Sequence, residues 1–227
     1  MLPLSDICLM TLQAAIFDMD GLLIDSEPYW KMAEKEVFGK LGLNLTDDLL
    51  RQVMGFRLSE VVVHWYSYQP WPEPDFVETE AEVLACVKEL VKQHAGPMPG
   101  VYEVLNQCRQ AGLKMAVASS SAMSLIETVV DKLNIRHYFD VLVSAETEPY
   151  GKPHPGIFIT TAARLGMAPS ACLVFEDSLN GMIAAKAARM TCVVVPEELK
   201  RNELYWSLAD YKLNSLNEFS LNRVTLN

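Results

Sequence analysis

Short apolar runs alternate with amphipathic segments along most of this chain. The runs lie at Ala14 to Phe17, Lys114 to Ser119, Val141 to Ser144, Ala171 to Glu176 and Thr191 to Val195, with a weaker one at Tyr211 to Leu213. Such runs predict strands that are buried on both faces, as in parallel sheets. Helical patterns lie between them at Val101 to Ala111, Met123 to Leu133, Pro155 to Leu165 and Gly181 to Ala188. This alternation predicts an α/β fold, with a Rossmann-like doubly wound parallel sheet covered by helices on both faces.

The connection between Phe17 and Lys114 is about three times as long as the ~30 residues that a strand–helix–strand unit takes. Helical segments fill it at Tyr29 to Gly42, Asp47 to Met54, Glu60 to Tyr68 and Phe76 to Gln93. The last segment is expected to bury one face, made of Val77, Ala81, Leu84, Val87 and Val91. We therefore predict a catalytic core at residues 1–27 and 96–227, with an inserted helical cap domain at residues 28–95. Such a cap would form a lid over the carboxyl end of the first strand.

The formal net charge of −10 limits the partners of this chain. It argues against a nucleic acid or an anionic membrane, because both bind basic surfaces. The five cysteines have no C-x-x-C spacing, and no apolar run approaches the roughly 20 residues of a membrane span. We therefore expect reduced thiols and a cytoplasmic protein. Residues 1–10 lack the basic start of a signal peptide, so we expect a short tail there, with Met10 as an alternative start.

Asp18 and Asp20 follow the first predicted strand directly, and Gly21 comes next. Side chains alternate along an extended chain, so the two carboxylates point the same way. They repel each other unless a cation or a shared proton lies between them. The pair therefore indicates either a site for a hard metal ion or an acid and base with separated pKa values. The structural alternative is a pair of solvated acids that cap the next element.

Polar residues also follow three of the other predicted strands. Ser119 to Ser121 offer hydroxyl and backbone N–H groups to an anion, Lys152 lies between Gly151 and Pro153, and Glu176 and Asp177 add two carboxylates. Each has a structural alternative: helix capping for the serines and the acids, and a solvated surface position for the lysine. Because the carboxyl ends of parallel strands meet at one edge of a sheet, we expect these groups to converge with Asp18.

The order, spacing and strand-end placement of these groups resemble the haloacid dehalogenase superfamily of phosphotransferases. The resemblance extends from about Gln13 to Leu216, and the cap resembles that of the β-phosphoglucomutase-like subfamily. Within it, four stretches are similar to bacterial sugar phosphatases of the 2-deoxyglucose-6-phosphate or hexitol phosphatase type: DMDGLLIDSEPYW, MGFR, WYSYQPW and FEDSLNGMIAAKAARM. The expected substrate is accordingly a small phosphorylated metabolite, such as a hexose 6-phosphate, 2-deoxyglucose 6-phosphate or a polyol phosphate.

The resemblance implies a role for each polar group. Asp18 would be the nucleophile that becomes an aspartyl phosphate, and Asp20 the general acid and base. Ser119, the backbone N–H of Ser120 and Lys152 would bind the phosphoryl oxygens.

The resemblance also implies a magnesium site. Mg²⁺ would be held by Asp18, the backbone carbonyl of Asp20, Asp177 and Glu176, the last directly or through water. The lysine motif of the family often ends in Asp where Gly156 stands here. We therefore expect a looser hold on Lys152 or a neighbouring substitute for that Asp.

The cap residues bear on specificity and on the alternative reactions. In phosphoglucomutases a cap His occupies the position of Trp30, and an indole cannot act as an acid or a base, so hydrolysis is favoured over a β-phosphoglucomutase-type transfer. Arg57 is the expected substrate contact. Trp30, His64 and Trp65 are candidate lining, with simple packing as the alternative for the aromatic residues.

Other reactions fit the residues less well. Dehalogenation needs neither the second Asp nor a metal. Phosphonate cleavage needs a cap lysine as a Schiff-base nucleophile, and the sequence does not place one near the site. A catalytically inactive phosphometabolite-binding protein is the alternative from a different functional class, and the intact catalytic positions argue against it. We expect a monomer, as is common among relatives of this kind.

Overall fold

Six parallel strands form one sheet in the computed structural model, which describes residues 12–225. The strands are β1 (Ala14–Phe17), β2 (Lys114–Ser119), β3 (Val141–Ser144), β4 (Cys172–Glu176), β5 (Thr191–Val194) and β6 (Tyr211–Lys212). They are arranged in the order β3-β2-β1-β4-β5-β6, which confirms the predicted doubly wound α/β fold. The tail and the alternative start expected at residues 1–10 lie outside the described residues.

Helices cover the sheet and fill the long connection after β1. That connection holds α1 (Glu27–Lys40), α2 (Asp47–Leu50), α3 (Leu58–Tyr68) and α4 (Phe76–His94), which we call the helical insertion. The later helices are α5 (Val101–Gln110), α6 (Met123–Lys132), α7 (Gly156–Leu165), α8 (Leu179–Ala187) and α9 (Leu221–Thr225). Short 3-10 turns lie at Arg136–Tyr138, Ala145–Thr147, Pro169–Ala171, Glu198–Lys200, Leu204–Leu208 and Leu216–Glu218. The division into a core at residues 1–27 and 96–227 and a cap at residues 28–95 stays a prediction.

The two faces of the sheet bury different hydrophobic clusters. Ala15 and Phe17 belong to one cluster and Ala14 and Ile16 to the other, as the alternation of side chains along a strand requires. Phe17 stacks on Phe175 of β4 with ring centroids 4.6 Å apart. The cluster that contains Phe17 also includes buried residues of α1, α3 and α4. The helical insertion and this face of the sheet therefore share one apolar interior.

The buried face of α4 is rotated from the one that the sequence predicts. Val87 and Val91 are buried, as expected, but Thr79 and Val83 complete the stripe, while Val77 is 79% exposed. The predictions for Val77 and for Ala81, which is also exposed, were wrong because α4 packs against α1, α3 and α6, and these contacts fix its rotation. No helix within residues 12–225 is long and apolar enough to cross a membrane.

Several helix boundaries differ from prediction, and two of these differences have clear local reasons. Helix α2 ends at Leu50 instead of continuing to Met54, because the next turns tighten into i to i+3 hydrogen bonds, such as Val53 N–H to the Leu50 carbonyl. Helix α8 begins at Leu179 instead of Gly181. The Ser178 side chain accepts a hydrogen bond from the Gly181 N–H and caps this earlier start.

Candidate active site

Lys152 joins the ends of two neighbouring strands at the centre of the sheet. Its ammonium donates to Asp18 Oδ1 at 2.7 Å and to Glu176 Oε1 at 2.6 Å, and it also donates to the Ala118 carbonyl at 3.2 Å. Asp18 directly follows β1, and Glu176 ends the adjacent β4. The structure thus brings together groups from separate strand ends, as the parallel sheet predicts.

Lys152 is buried and charged. Burial lowers the pKa of its ammonium, but the nearby Asp18 and Glu176 carboxylates outweigh that effect and leave the pKa raised. Glu148 lies in the space that a side chain at Gly156 would occupy, since a Cβ there would be 2.7 Å from Glu148 Oε2. The looser hold expected from Gly156 is not observed, because Lys152 has three acceptors.

The surroundings of Asp18 are more negative than its ion pair with Lys152 suggests. The pKa of this carboxyl is raised to about 7, because burial, with smaller contributions from Glu176 and Asp20, outweighs the lowering by Lys152. The single ammonium is therefore insufficient to balance the carboxylates around it.

Asp20 is held by hydroxyl and indole donors. Ser26 Oγ donates to Oδ1 at 2.5 Å and Ser121 Oγ to Oδ2 at 2.7 Å. The indole Nε1 of Trp30, in α1, donates to Oδ1 at 3.0 Å, while the Ser119 hydroxyl is 3.5 Å from Oδ2. A carboxylate fixed in this way is oriented for proton transfer to or from a group in the pocket. Sequence reasoning quoted Ser26 within the DMDGLLIDSEPYW stretch but gave it no role; it is fully buried and directly precedes α1.

Glu176 uses both of its oxygens within the protein. Oε2 accepts hydrogen bonds from the backbone N–H groups of Asp177 and Ser178 and from the Ser178 hydroxyl, while Oε1 accepts from Lys152. A Cβ at Gly181 would lie 1.9 Å from the Glu176 carboxyl carbon, so only glycine fits there. This arrangement makes Glu176 a positioning residue for Lys152, and its predicted role as a metal ligand stays a prediction.

The carboxylates of Asp18, Glu176 and Asp177 form a buried cluster that fits a cation. Each offers an oxygen, and these oxygens all lie within 4.8 Å of one another. Burial, followed by the charges of Asp18 and Glu176, raises the pKa of Asp177 well above its usual range. Oxygen donors of this kind suit a hard divalent cation, which would balance the charge that Lys152 leaves. Gly21 lets the loop after β1 approach, because a Cβ there would be 2.3 Å from Asp177 Oδ2.

A pocket of about 70 Å³ lies between these groups and the helical insertion. Asp18, Asp20, Lys152, Asp177 and the serines at 119–121 line one part of it. Helix α1 contributes the polar residues Glu27, Trp30, Lys31 and Glu34. The other lining residues of the insertion are apolar except for Gly55: Leu50, Val53, Met54, Phe56, Leu58 and Val61.

Ser120 faces the insertion as well as the pocket. Its hydroxyl donates to the Gly55 carbonyl at 3.0 Å, and Ser119 Oγ accepts from the Ser121 N–H at 3.1 Å. The predicted phosphate-binding residues Ser119, Ser120 and Lys152 thus all line the same pocket.

Arg57 does not lie where the sequence prediction placed it. Its guanidinium donates to Glu60 Oε1 at 2.7 Å and to the Glu148 carbonyl at 2.8 Å, and it lines a separate surface groove. With these acceptors Arg57 does not line the pocket, and its role as a substrate contact stays a prediction. Trp65 is fully buried and so follows the packing alternative, whereas Trp30 lines the pocket. His64 packs edge-on against Trp65, outside that lining.

Comparisons with known proteins cover most of the chain. The family model for haloacid dehalogenase-like hydrolases matches residues 15–195. Hexitol phosphatase B of Escherichia coli (strain K12) is 45% identical over 208 residues, which cover 91% of this chain and 94% of that protein. A phosphorylated carbohydrates phosphatase of Thermotoga maritima is 33% identical over 180 residues, which cover 78% of this chain and 82% of that protein.

A solved structure is similar over the same region. CbbY from Rhodobacter sphaeroides, crystallised as a variant in complex with xylulose-1,5-bisphosphate, superposes with a TM-score of 0.83. The two chains are 26% identical, and the match covers 92% of this chain and 96% of that one. The residues matched by the family model include Asp18, Lys152 and Asp177.

Proposed function

Because this chain belongs to the haloacid dehalogenase-like hydrolase family, we propose that it hydrolyses phosphate monoesters of small sugars or polyols through a phosphorylated Asp18. Phosphoric monoester hydrolysis follows from the family and from the phosphatases among the relatives. One observation carries the assignment of roles. Asp18 pairs with a buried ammonium, whereas Asp20, two residues later, is held by hydroxyl and indole donors beside the same pocket.

Asp18 performs the nucleophilic step in this proposal. One of its oxygens attacks the phosphorus of the ester in line, the bond from phosphorus to the sugar oxygen breaks, and an acyl phosphate forms on Asp18. Lys152, Ser119 and Ser120 hold the phosphoryl oxygens and offset their charge. The charge of Lys152 also reduces the repulsion between the Asp18 carboxylate and the dianionic phosphate.

Asp20 transfers a proton in both halves of the reaction. It gives its proton to the departing sugar oxygen, which would otherwise leave as an unstable alkoxide. It then takes a proton from the water that attacks the acyl phosphate. The bond between phosphorus and Asp18 breaks, inorganic phosphate leaves, and the free Asp18 carboxylate is restored.

Mg²⁺ is the proposed cofactor. Asp18, Asp177 and the Asp20 backbone carbonyl would hold it, with Glu176 bound directly or through water. A bound Mg²⁺ supplies positive charge that screens the carboxylates from the phosphate. The buried carboxylate cluster supports this proposal.

Trp30 favours hydrolysis over phosphoryl transfer between two positions of a sugar. Its indole donates to Asp20 but carries no group that exchanges protons near neutral pH, so nothing at this position gates Asp20 by titration. Asp20 is therefore free to activate water. We also propose that the enzyme is a monomer and is located in the cytoplasm.

The test is phosphate release from a panel of hexose and polyol phosphates, with Asp18→Asn as the blank. β-Glucose 1-phosphate with a bisphosphate primer, followed by detection of glucose 6-phosphate, is included in the panel. We expect Mg²⁺-dependent release that is lost in Asp18→Asn and in chelator. Acid-quenched wild-type enzyme should gain the mass of one phosphoryl group, and Asp18→Asn should not. Isomerisation without net phosphate release would establish a mutase instead. No phosphate release from any ester would reject the proposal.

A further inference from the structure

Helix α1 presents a polar stripe to the pocket. Its pocket-lining residues Glu27, Trp30, Lys31 and Glu34 are spaced three, four and seven residues apart, so they lie on one helix face. Trp30 connects the stripe to the proposed catalytic groups, because it donates to Asp20. Glu34 lies one turn further on, about 6 Å along the helix axis. That distance is comparable to the length of several carbons of a sugar or polyol chain.

Glu34 is the member of this stripe without a charged partner. Glu27 and Lys31 form an ion pair at 3.6 Å, whereas no ion pair within residues 12–225 includes Glu34. Glu34 is 7% exposed and accepts one hydrogen bond, from the Trp65 indole at 3.2 Å. Burying a carboxylate with so few donors is costly, and its occurrence in a pocket is typical of functional groups.

The remaining lining offers few other groups that could recognise hydroxyls. The lining residues of α2, α3 and the segment between them are apolar apart from Gly55, and the polar groups at the strand ends hold one another or face the reacting phosphate. A carboxylate accepts hydrogen bonds and donates none, so it suits hydroxyl donors and repels anionic groups.

We propose that Glu34 determines specificity, by accepting hydrogen bonds from hydroxyl groups on the substrate carbons remote from the phosphate. This inference rests on the proposed function, in which the phosphate binds at Asp18. It predicts that the enzyme selects hydroxylated phosphate esters over alkyl phosphates of the same length. It also predicts that esters with a carboxylate at the remote end are poor substrates.

Glu34→Gln tests the proposal against a purely structural role. Glutamine keeps the size of the side chain and an acceptor for the Trp65 indole but loses the charged acceptor. Above about pH 7, where the Glu34 carboxyl is ionised, we expect kcat/KM for a hexitol 6-phosphate to fall at least about 10-fold, since hydrogen bonds to charged groups are the stronger ones. The value for hexyl phosphate, which has no remote hydroxyls, should change less than about 2-fold. Glu36→Gln, an exposed position on the same helix, is the matched control and should leave both values unchanged.

Two results with these substrates would overturn the proposal. Equal losses with both esters would indicate that Glu34 only supports the structure through Trp65, and unchanged values for both would indicate no contact.

Binding separates this inference from the proposed function. In the Asp18→Asn background, calorimetry should show that Glu34→Gln lowers the affinity for hexitol 6-phosphate at least about 10-fold. The affinity for inorganic phosphate should not change. If the wild type hydrolyses no ester but this difference appears, the proposed function fails and the role of Glu34 stands. If hydrolysis is confirmed but Glu34→Gln binds the hexitol ester as tightly as its parent, the role of Glu34 is rejected. No binding of the ester by Asp18→Asn rejects it as well.

Discussion

Trp30 Nε1 lies 3.0 Å from Asp20 Oδ1, so a helix of the insertion directly orients a carboxylate at the end of β1. Ser26, directly before α1, and Ser121, just after β2, donate to the same carboxylate. The orientation of Asp20, the proposed acid and base, therefore depends on the position of α1. Substrate that binds against α1 would also affect the orientation of Asp20.

Trp30→Phe should lower kcat about 10-fold, because it removes one donor from Asp20 while keeping an aromatic ring in the pocket. Trp206→Phe is the matched control, since its indole donates to the Lys200 carbonyl away from the site. Steady-state kinetics on the preferred ester would check both variants. An unchanged kcat in Trp30→Phe would mean that the serines alone orient Asp20.

Lys152→Met should abolish phosphatase activity and lower the free energy of unfolding by about 3–5 kcal/mol, because it leaves two buried carboxylates unpaired. Lys186→Met breaks the partly exposed pair with Asp210 and should cost at most about 1 kcal/mol. Urea denaturation measures the free energy of unfolding of both variants.

A second substitution shows whether the cost arises from the uncompensated charge. Adding Glu176→Gln to Lys152→Met should restore part of the lost stability without restoring activity. If the double variant were less stable than Lys152→Met, packing and not charge would explain the loss.

Glu34 should make the stability of the protein pH-dependent. Its pKa is raised from 4.5 to about 7, because burial and, to a smaller extent, Glu27 outweigh the lowering by the Trp65 hydrogen bond. The folded state therefore binds this proton more tightly than the unfolded state. Protonation of Glu34 therefore contributes to the free energy of unfolding. This contribution, about 3 kcal/mol, is fully present below about pH 4.5 and is lost as the pH rises through about 7.

Comparing Glu34→Gln with the wild type isolates this effect, because other titrating groups largely cancel. The variant should gain stability relative to the wild type between about pH 4.5 and pH 8, measured by urea denaturation at each pH. Glu36→Gln should not show that gain. A constant difference across the range would mean that the Glu34 carboxyl does not titrate abnormally.

Gly21→Ala should weaken Mg²⁺ binding at least about 10-fold, because its Cβ would displace the Asp177 carboxylate. Gly112→Ala is the matched control: its φ of +72° resembles the +71° of Gly21, but no atom lies within 4 Å of the added Cβ. Both variants bear the strain of a left-handed residue, about 1–2 kcal/mol. Calorimetry with Mg²⁺ should distinguish them, and equal affinities would remove Asp177 from the metal site.

The sheet and the convergence of polar groups could be predicted from the sequence because both follow from local patterns. Apolar runs mark strands, and Asp18, Lys152 and Asp177 follow strand ends that a parallel sheet brings to one edge. The contacts of α1 could not be predicted in this way. Whether Trp30 and Glu34 face the pocket depends on how α1 packs against α4, which is distant in sequence.

Arg57 shows a similar limit. The sequence places it in a loop near the pocket, but its direction is decided by acceptors on Glu60 and Glu148, and the latter is distant in sequence. The face of α4 also depended on packing, which buried Thr79 and left Val77 exposed.

The central position of β1 has a consequence for how the enzyme loses activity on heating. Strands on both sides pair with β1, and its Phe17 belongs to the cluster that continues into the helical insertion. Asp18 is therefore attached to a segment that local fraying reaches last. Thermal inactivation should coincide with cooperative melting of the whole fold and not precede it, so the catalytic carboxylates would report on global unfolding.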